Sequence, residues 1–182
     1  MRKLIILVLA VVCSTVTFAQ EAERFGLKAV NFGVGLPIEF RDLKAAGLNV
    51  HIGYDYAYPV SDQLAVGFYL NGSAGFVGEF QRYSTEDHVH MMLRLSAGLM
   101  MEIGDRANRP YLLGVAPCTG FGLYDMDFVL PIELRFGRFI DDHWYIMGEL
   151  TYGISLANET ATIEPAIRVG YNFGIKPKQK KK

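Results

Sequence analysis

The amino-acid sequence predicts an all-β protein, an eight-stranded antiparallel up-and-down transmembrane β-barrel preceded by a cleaved signal peptide. Three observations carry this prediction. Apolar residues alternate with small or polar residues at a period of two through residues 30–175. The longest apolar run, Leu4–Val12, is too short to cross a bilayer as a helix. The chain has 182 residues, 51% of them hydrophobic, which is the length of one domain.

The N-terminus has the features of a secretory signal peptide. Two basic residues precede the apolar run, and Thr17-Phe18-Ala19 provides small residues before a cut at Gln20. We therefore predict that residues 1–19 are removed. Cys13 would suggest a lipoprotein, but lipoprotein processing requires a small residue before the cysteine, and a valine stands there. Cleavage leaves Cys118 as the only cysteine, so the mature chain forms no internal disulfide.

The first four strands each set apolar residues against small or polar ones. The second ends at the turn Pro59–Asp62, and the third follows directly. A longer polar loop, Gly78–Asp87, precedes the fourth, which is the longest strand. These predicted strands cover residues 30–40, 48–58, 64–76 and 89–103.

The same alternation continues through the second half of the chain. The fifth strand begins after the turn Gly104–Pro110, and Asp141–His143 forms the turn before the seventh. No segment after the signal peptide has helical spacing. The predicted strands cover residues 111–123, 128–136, 144–156 and 163–175.

Three prolines, Pro117, Pro131 and Pro165, interrupt this regular pattern. Proline removes a hydrogen-bond donor from the ladder, so within a sheet it is found at bulges or edges. We therefore expect bulges or early fraying of the barrel rim at these positions.

The number of large side chains indicates which face is outside. The apolar face holds about fifty of them, more than the interior of an eight-stranded barrel accepts. The other face is mostly Gly, Ala, Ser and Asn, which pack well inside a narrow barrel. We therefore predict that the apolar face contacts lipid; a soluble secreted barrel with an internal ligand would need the reverse orientation, with its apolar face inside.

Aromatic residues at the strand ends are expected to form two interfacial girdles. They are Tyr58, Tyr111, Trp144 and Phe173 at the short-turn end and Phe40, Phe76, Phe121 and Phe128 at the other.

Charge argues against nucleic acid as a partner. The signal peptide takes with it two of the 18 basic residues and none of the 19 acidic ones, which leaves a net charge of −3. Five of the remaining basic residues lie in the tail, residues 176–182, so the barrel region, residues 20–175, carries −8. The tail is expected to be a solvated basic end in the periplasm; contact with anionic lipid or peptidoglycan is the alternative.

With these features the sequence resembles a known family. The signal peptide, the eight strands and the turn phrase Tyr58-Pro59-Val60-Ser61-Asp62-Gln63-Leu64 look like the small outer-membrane β-barrel proteins of the OmpA transmembrane domain and OmpX kind, over residues 26–175. The last strand, Arg168 to Ile175, resembles the family's assembly signal, polar-x-Gly-x-x-apolar-x-apolar. Family members often end at the aromatic residue, whereas this chain continues into a lysine tail, so that the signal would be read internally.

The resemblance implies a location and a general role. It implies insertion into the bacterial outer membrane by the assembly machinery, contact with outer-membrane lipid and lipopolysaccharide, and termini in the periplasm. It also implies a role in anchoring, adhesion or envelope integrity, without a particular ligand. We expect a monomer without a cofactor.

Charged residues on the inward face predict an ion network in the lumen. Pairing about the turn Asp141–His143 sets Arg135 opposite Glu149, and the same arithmetic places Arg168 beside Glu149. Isolated buried charges are costly, so these groups are expected to pair and plug the lumen. A small gated pore is the functional alternative. Other inward-facing charged residues able to join the network are Asp55, Arg94, Glu102, Glu133 and Glu164.

An enzyme is not expected. Some eight-stranded outer-membrane barrels modify lipid A with a histidine, a serine and an acid near the rim, which makes such an enzyme the runner-up. No motif of the lipid A acyltransferases or deacylases is present, and the sequence names no third metal ligand beside His88 and His90. Cys118 is expected to be an unreactive side chain that fills space on the inward face. The candidate residues for the catalytic site of such an enzyme are Ser84, Thr85, Glu86, Asp87, His88 and His90.

Short outward loops limit the expected surface function. A receptor or adhesin usually needs larger loops, since loops carry recognition on a rigid scaffold. Only the second loop, with Glu79, Phe80, Arg82 and Tyr83, is nominated as a binding surface. The predicted outward loops are residues 41–47, 77–87, 124–127 and 157–161.

Overall fold

The computed structural model describes residues 26–40, 45–61, 63–79, 89–104, 110–117, 121–124, 127–155 and 161–174. No helix within these ranges is long and apolar enough to cross a membrane. The described residues form ten strand segments: β1 (Leu27–Gly35), β2 (Ile38–Glu39), β3 (Ala45–Ser61), β4 (Leu64–Glu79), β5 (Val89–Ile103), β6 (Tyr111–Pro117), β7 (Phe121–Tyr124), β8 (Asp127–Phe139), β9 (Trp144–Ser155) and β10 (Ala161–Asn172).

The ten segments make eight barrel strands. β1 and β2 both lie between β3 and β10, and β6 and β7 both lie between β5 and β8, so each pair is one interrupted strand. Every pairing is antiparallel between neighbours along the chain. β1 also pairs with β10, from Ala29 opposite Asn172 to Gly35 opposite Ala166, which closes the sheet. The predicted fold class, a closed eight-stranded antiparallel barrel, is confirmed.

Two strands extend further toward the long loops than the sequence pattern indicates. β3 begins at Ala45 and β4 continues to Glu79, so parts of the predicted loops 41–47 and 77–87 belong to the barrel wall. Ala45 pairs with Glu79 at this end. The hairpin of β3 and β4 therefore extends toward the long loops, beyond the residues in which apolar and polar positions alternate.

The two faces of the wall are oriented as the sequence predicts. β9 alternates between exposed and buried along its whole length. On β8, Leu134 and Phe136 are 54% and 58% exposed, whereas Glu133 and Arg135 are buried. In water such an exposed apolar surface would be strongly unfavourable, whereas in a bilayer it faces acyl chains. The outside of the barrel is therefore a lipid-facing surface.

Aromatic side chains mark the ends of this surface. Tyr111 stacks on Phe136 with ring centroids 5.8 Å apart, and Trp144 meets the edge of Tyr171 at 5.0 Å, both at the short-turn end. Phe40 and Phe76 are exposed toward the opposite end. The side chains of Phe121 and Phe128 lie outside the described residues.

An apolar cluster fills the short-turn end of the lumen. Two tyrosine rings form its floor and lie against glycines on neighbouring strands, because only a residue without a side chain leaves room for them. A Cβ on Gly98 would lie 2.5 Å from Tyr69 Cε1, and one on Gly170 would overlap the Tyr145 ring. The cluster consists of Leu27, Ala29, Ala57, Ala65, Tyr69, Met100, Leu112, Ala116, Phe139, Tyr145 and Met147.

The predicted bulge is present beside Pro117. Pro117 pairs with Ile132 and Gly122 pairs with Val129, so this strand contains two more residues than β8 over the same interval. A further register shift lies between Pro59 and Ser61 in the second strand of the barrel.

Bulges or fraying of the rim were also expected at Pro131 and Pro165, and on the side of β9 both prolines pair without a register shift. Each faces an interruption in the neighbouring strand. Pro165 lies beside the break between β1 and β2, where Leu36 N donates to its carbonyl at 3.0 Å. Pro131 lies beside the bulge that follows Pro117. The neighbouring strand thus breaks where the proline offers no donor.

Candidate functional site: the lumen ion network

A belt of buried charged side chains lies in the lumen beyond the apolar cluster. The period of two directs them inward from five strand segments, and each residue is at most 5% exposed. Arginine donates only and an ionised carboxylate accepts only, so the two types can satisfy one another. The belt consists of Asp55 on β3, Arg94 on β5, Glu133 and Arg135 on β8, Glu149 on β9, and Glu164 and Arg168 on β10.

Glu149 lies at the centre of this network. The register places it directly opposite Arg135, as the turn arithmetic predicts, and Arg168 lies diagonally across on β10. Its Oε2 is 2.7 Å from Arg135 Nε and 2.8 Å from Arg168 Nε. These two N–H groups are not aligned with the oxygen, so the contacts are close ion pairs rather than hydrogen bonds. One carboxylate therefore holds two arginines from neighbouring strands.

Glu164 joins three strands on the side toward the long loops. Arg94 Nη1 donates to its Oε2 at 2.9 Å, and Asn49 Nδ2 donates to both oxygens at 3.1 and 3.2 Å. His51 Nε2 lies 2.6 Å from Oε1. Gly35 leaves the space for this arrangement, since a Cβ there would overlap Glu164 Oε1 and lie 2.7 Å from His51 Nε2.

Asp55 connects the network with the apolar floor. Asn31 Nδ2 donates to Oδ2 at 2.8 Å, and the Tyr145 hydroxyl donates to the same oxygen. Arg135 Nη1 donates to Oδ1 at 3.4 Å. The guanidinium carbon of Arg135 lies 3.5 Å from the centroid of the Tyr69 ring, a cation–π contact. The short-turn side of the network is thus closed by two aromatic rings.

Glu133 and Arg168 carry the network across the remaining strands. Glu133 accepts from Ser96 Oγ, from Asn71 Nδ2 at 3.3 Å and from Arg135 Nη2 at 3.5 Å. Arg168 donates to Asn71 Oδ1 at 2.6 Å and to Asn31 Oδ1. Side chains from most of the wall therefore meet in one connected group.

The structure brings the sequence-predicted site residues together. Arg94, Glu133, Arg135, Glu149 and Arg168 share this network with Asp55 and Glu164. Glu102 is also fully buried, but it pairs with Ala65 and Leu112 at the level of the apolar cluster. Sequence reasoning did not assign a role to the neutral polar partners. The period-two pattern places each of them on the inward face, and this position could have indicated that they contact the charged residues. They are Asn31, Asn49, His51, Tyr69, Asn71, Ser96 and Tyr145.

The candidate catalytic residues are not tested by the described residues. Ser84 to His88 and Cys118 lie outside them, and His90 is in β5 with no described side chain. Within the described ranges, no group of three or more His, Cys, Asp or Glu could hold a metal ion.

A serine, a histidine and a glutamate do stand close together in the lumen. Ser73 pairs with His51 across β3 and β4, and His51 contacts Glu164. However, the second ring nitrogen of His51 lies 2.8 Å from Arg168 Nη2, and Ser73 Oγ accepts a long hydrogen bond from Asn49. Both ring nitrogens are therefore engaged, and the histidine is not placed to take a proton from the serine.

Comparison with known proteins identifies the fold. No protein-family model matches the chain, and no curated protein matches it in sequence. The structure of the outer membrane enzyme PagL matches with a TM-score of 0.52 and 8% identity, over 77% of this chain and 97% of PagL. Neisserial surface protein A (NspA) matches with a TM-score of 0.52 and 11% identity, over 80% and 97%. Ail of Yersinia pestis matches with a TM-score of 0.47 and 15% identity, over 82% and 100%.

The barrel therefore has the fold of the small eight-stranded outer-membrane proteins. Its lipid-facing exterior and closed sheet agree with that class. At these identities the likeness concerns the fold alone.

Proposed function

We propose that this chain is an integral protein of the bacterial outer membrane with a structural, envelope-integrity or surface-interaction role and a plugged, non-conducting lumen. One observation carries the proposal: the inward charged side chains pair with one another in a single network instead of lining an open channel. Three arginines meet four carboxylates across the lumen, above a floor of apolar side chains.

The physical argument for a seal rests on the cost of separating these groups. A buried ion left without its partner costs several kcal/mol, so opening the lumen would require several pairs to be replaced by water together. The apolar floor beneath them offers water no hydrogen bonds. Both features support a barrel that stays closed.

The proposal includes an orientation and partners. Residues 1–19 serve as the export signal, and the termini lie in the periplasm, because an even strand number places both ends of the sheet at the same edge. The exterior contacts outer-membrane lipid and lipopolysaccharide. The assembly machinery reads the segment Arg168 to Ile175, and the barrel is a monomer without nucleic acid or cofactor as a partner.

A small gated pore is the second candidate, favoured by buried polar atoms that have no hydrogen-bond partner among the described residues. These include Arg94 Nε and Nη2, Tyr69 Oη and Asn49 Oδ1. Such atoms are ordinarily satisfied by water, so the network is compatible with some hydration.

A lipid A modifying enzyme is the other alternative. PagL is described as an outer membrane enzyme, but its likeness to this chain concerns the fold. Mass spectrometry of lipid A from cells with and without the gene tests this directly. We expect identical lipid A from both, and a changed acyl pattern would establish the enzyme.

Conductance in planar bilayers tests the seal. Wild-type protein is compared with Arg135→Ala and with Arg138→Ala, a matched control three residues away on the same strand that faces outward. We expect wild type and Arg138→Ala to be non-conducting. Removing the Arg135 side chain breaks contacts with Asp55, Glu133 and Glu149, and conductance from this variant alone would show that the network is the barrier. The comparison is made at about pH 8, and open channels in wild type at that pH would contradict the proposal.

A further inference from the structure

His51 lies inside the ion network between Glu164 and Arg168. Its Nε2 is 2.6 Å from Glu164 Oε1, and its Nδ1 is 2.8 Å from Arg168 Nη2. A guanidinium nitrogen only donates, so Nδ1 must accept from Arg168. The single ring proton then sits on Nε2 and is donated to Glu164.

The charged groups that face this ring come from three other strands. β10 contributes Glu164 and Arg168, and β9 contributes Glu149, whose Oε1 lies 3.6 Å from Nδ1. β5 contributes Arg94, which reaches the ring through Glu164. The two strands paired with β3 bring no charge to this point, since the residues opposite His51 are Gly33 and Ser73.

Among the described residues that contact one another in this network, positive charges are one fewer than negative charges. The network contains Arg94, Arg135 and Arg168 against Asp55, Glu133, Glu149 and Glu164, which is three cations and four anions. With a neutral His51 the group therefore carries a formal net charge of −1. A proton added to this group would balance it, and the imidazole of His51 has a ring nitrogen that can accept one.

We propose that His51 is a proton switch in the lumen plug. A proton on Nδ1 sets an N–H donor against the donor nitrogen of Arg168 at 2.8 Å, so the two groups separate. Arg168 is the residue that links Glu149 with Asn31 and Asn71, and its displacement loosens the seal across three strands. This inference rests on the proposed function, since it names the regulation of the same plug.

Nuclear magnetic resonance of the imidazole nitrogens tests the starting state. Wild-type barrel with ¹⁵N-labelled histidine is measured in lipid bilayers at about pH 8 and about pH 5. We expect one ring of the Nε2–H tautomer at the higher pH, assigned to His51 by its absence from His51→Gln, and a doubly protonated ring at the lower pH. A ring that stays neutral at both values overturns the switch.

Conductance tests the consequence. Glutamine keeps a donor and an acceptor at position 51 but does not titrate, and His143→Gln is the matched control because His143 lies in the turn before β9. We expect channel openings of wild type and His143→Gln to become about tenfold more frequent from about pH 8 to about pH 5, the effect of losing one hydrogen bond to a charged group. His51→Gln is expected to show no such rise.

The outcomes separate the two proposals. A wild-type barrel that stays closed at both pH values, or a rise that His51→Gln shares, overturns the switch and leaves the sealed lumen intact. Free conduction by wild type at about pH 8 contradicts the sealed lumen itself. If His51→Gln does not fold, a wild-type barrel that stays closed at about pH 5, or whose histidine rings all stay neutral there, still overturns the switch.

Discussion

The substitution Glu149→Gln removes the central charge of the lumen network while keeping the shape of the side chain. Arg135 and Arg168 each lose their closest carboxylate oxygen, at 2.7 and 2.8 Å. Breaking a buried ion pair by removing one partner typically costs about 3–5 kcal/mol. We therefore expect the free energy of unfolding to fall by about 3–5 kcal/mol.

Urea unfolding of the barrel in lipid vesicles measures this change, followed by the gel mobility of unboiled samples. The control is Leu150→Ala on the same strand, whose side chain is 46% exposed toward lipid. Lipid tails are as apolar as leucine, so this control loses packing but little transfer energy. A loss of less than about 1 kcal/mol for Glu149→Gln would refute the argument, because it would mean that other groups compensate the two arginines without cost.

Three further predictions concern the packing of the lumen and the orientation of the apolar face toward lipid. Gly170→Val forces a side chain into the Tyr145 ring, so we expect failure to form the heat-modifiable barrel on gels, whereas Gly148→Val, at an outward position with room for a Cβ, is expected to fold. Leu150→Arg places a charge on the lipid face near the middle of β9, and its unfolding free energy is expected to fall by about 2–4 kcal/mol in vesicles; an unchanged value would contradict the placement of this position against lipid. Wild-type protein from an outer-membrane fraction is expected to migrate differently before and after boiling, whereas an unchanged mobility together with recovery from the soluble periplasm would contradict the membrane barrel.

Local rules were sufficient to predict the wall of the barrel and one of its charge contacts. The alternation along each strand identified the inward face, and the short turn at Asp141–His143 determined the register that sets Arg135 opposite Glu149. Both depend on residues close in the sequence or on a tight turn. The prediction was therefore reliable where few backbone alternatives exist.

The rest of the network depends on closure of the sheet. His51 meets Glu164 across 113 residues, and Arg168 meets Asn31 across 137. These contacts form only when the first strand pairs with the last. The long side chains then contact residues across the lumen as well as residues on adjacent strands. The expectation at Pro131 and Pro165 was incomplete for a related reason: the irregularity beside each proline lies in the neighbouring strand, and a rule applied to one strand cannot place it there.

The inward glycines explain how so narrow a barrel accommodates this many long side chains. Gly33 lies against the stem of Arg168, since a Cβ there would lie 2.6 Å from Arg168 Cγ, and Gly114 faces Arg135 across the β6–β8 pair. A larger residue at either position would push the guanidinium away from Glu149. The small and charged residues of the inward face are thus two parts of one arrangement, because each arginine needs both a carboxylate to neutralise it and a bare stretch of neighbouring backbone against which to lie.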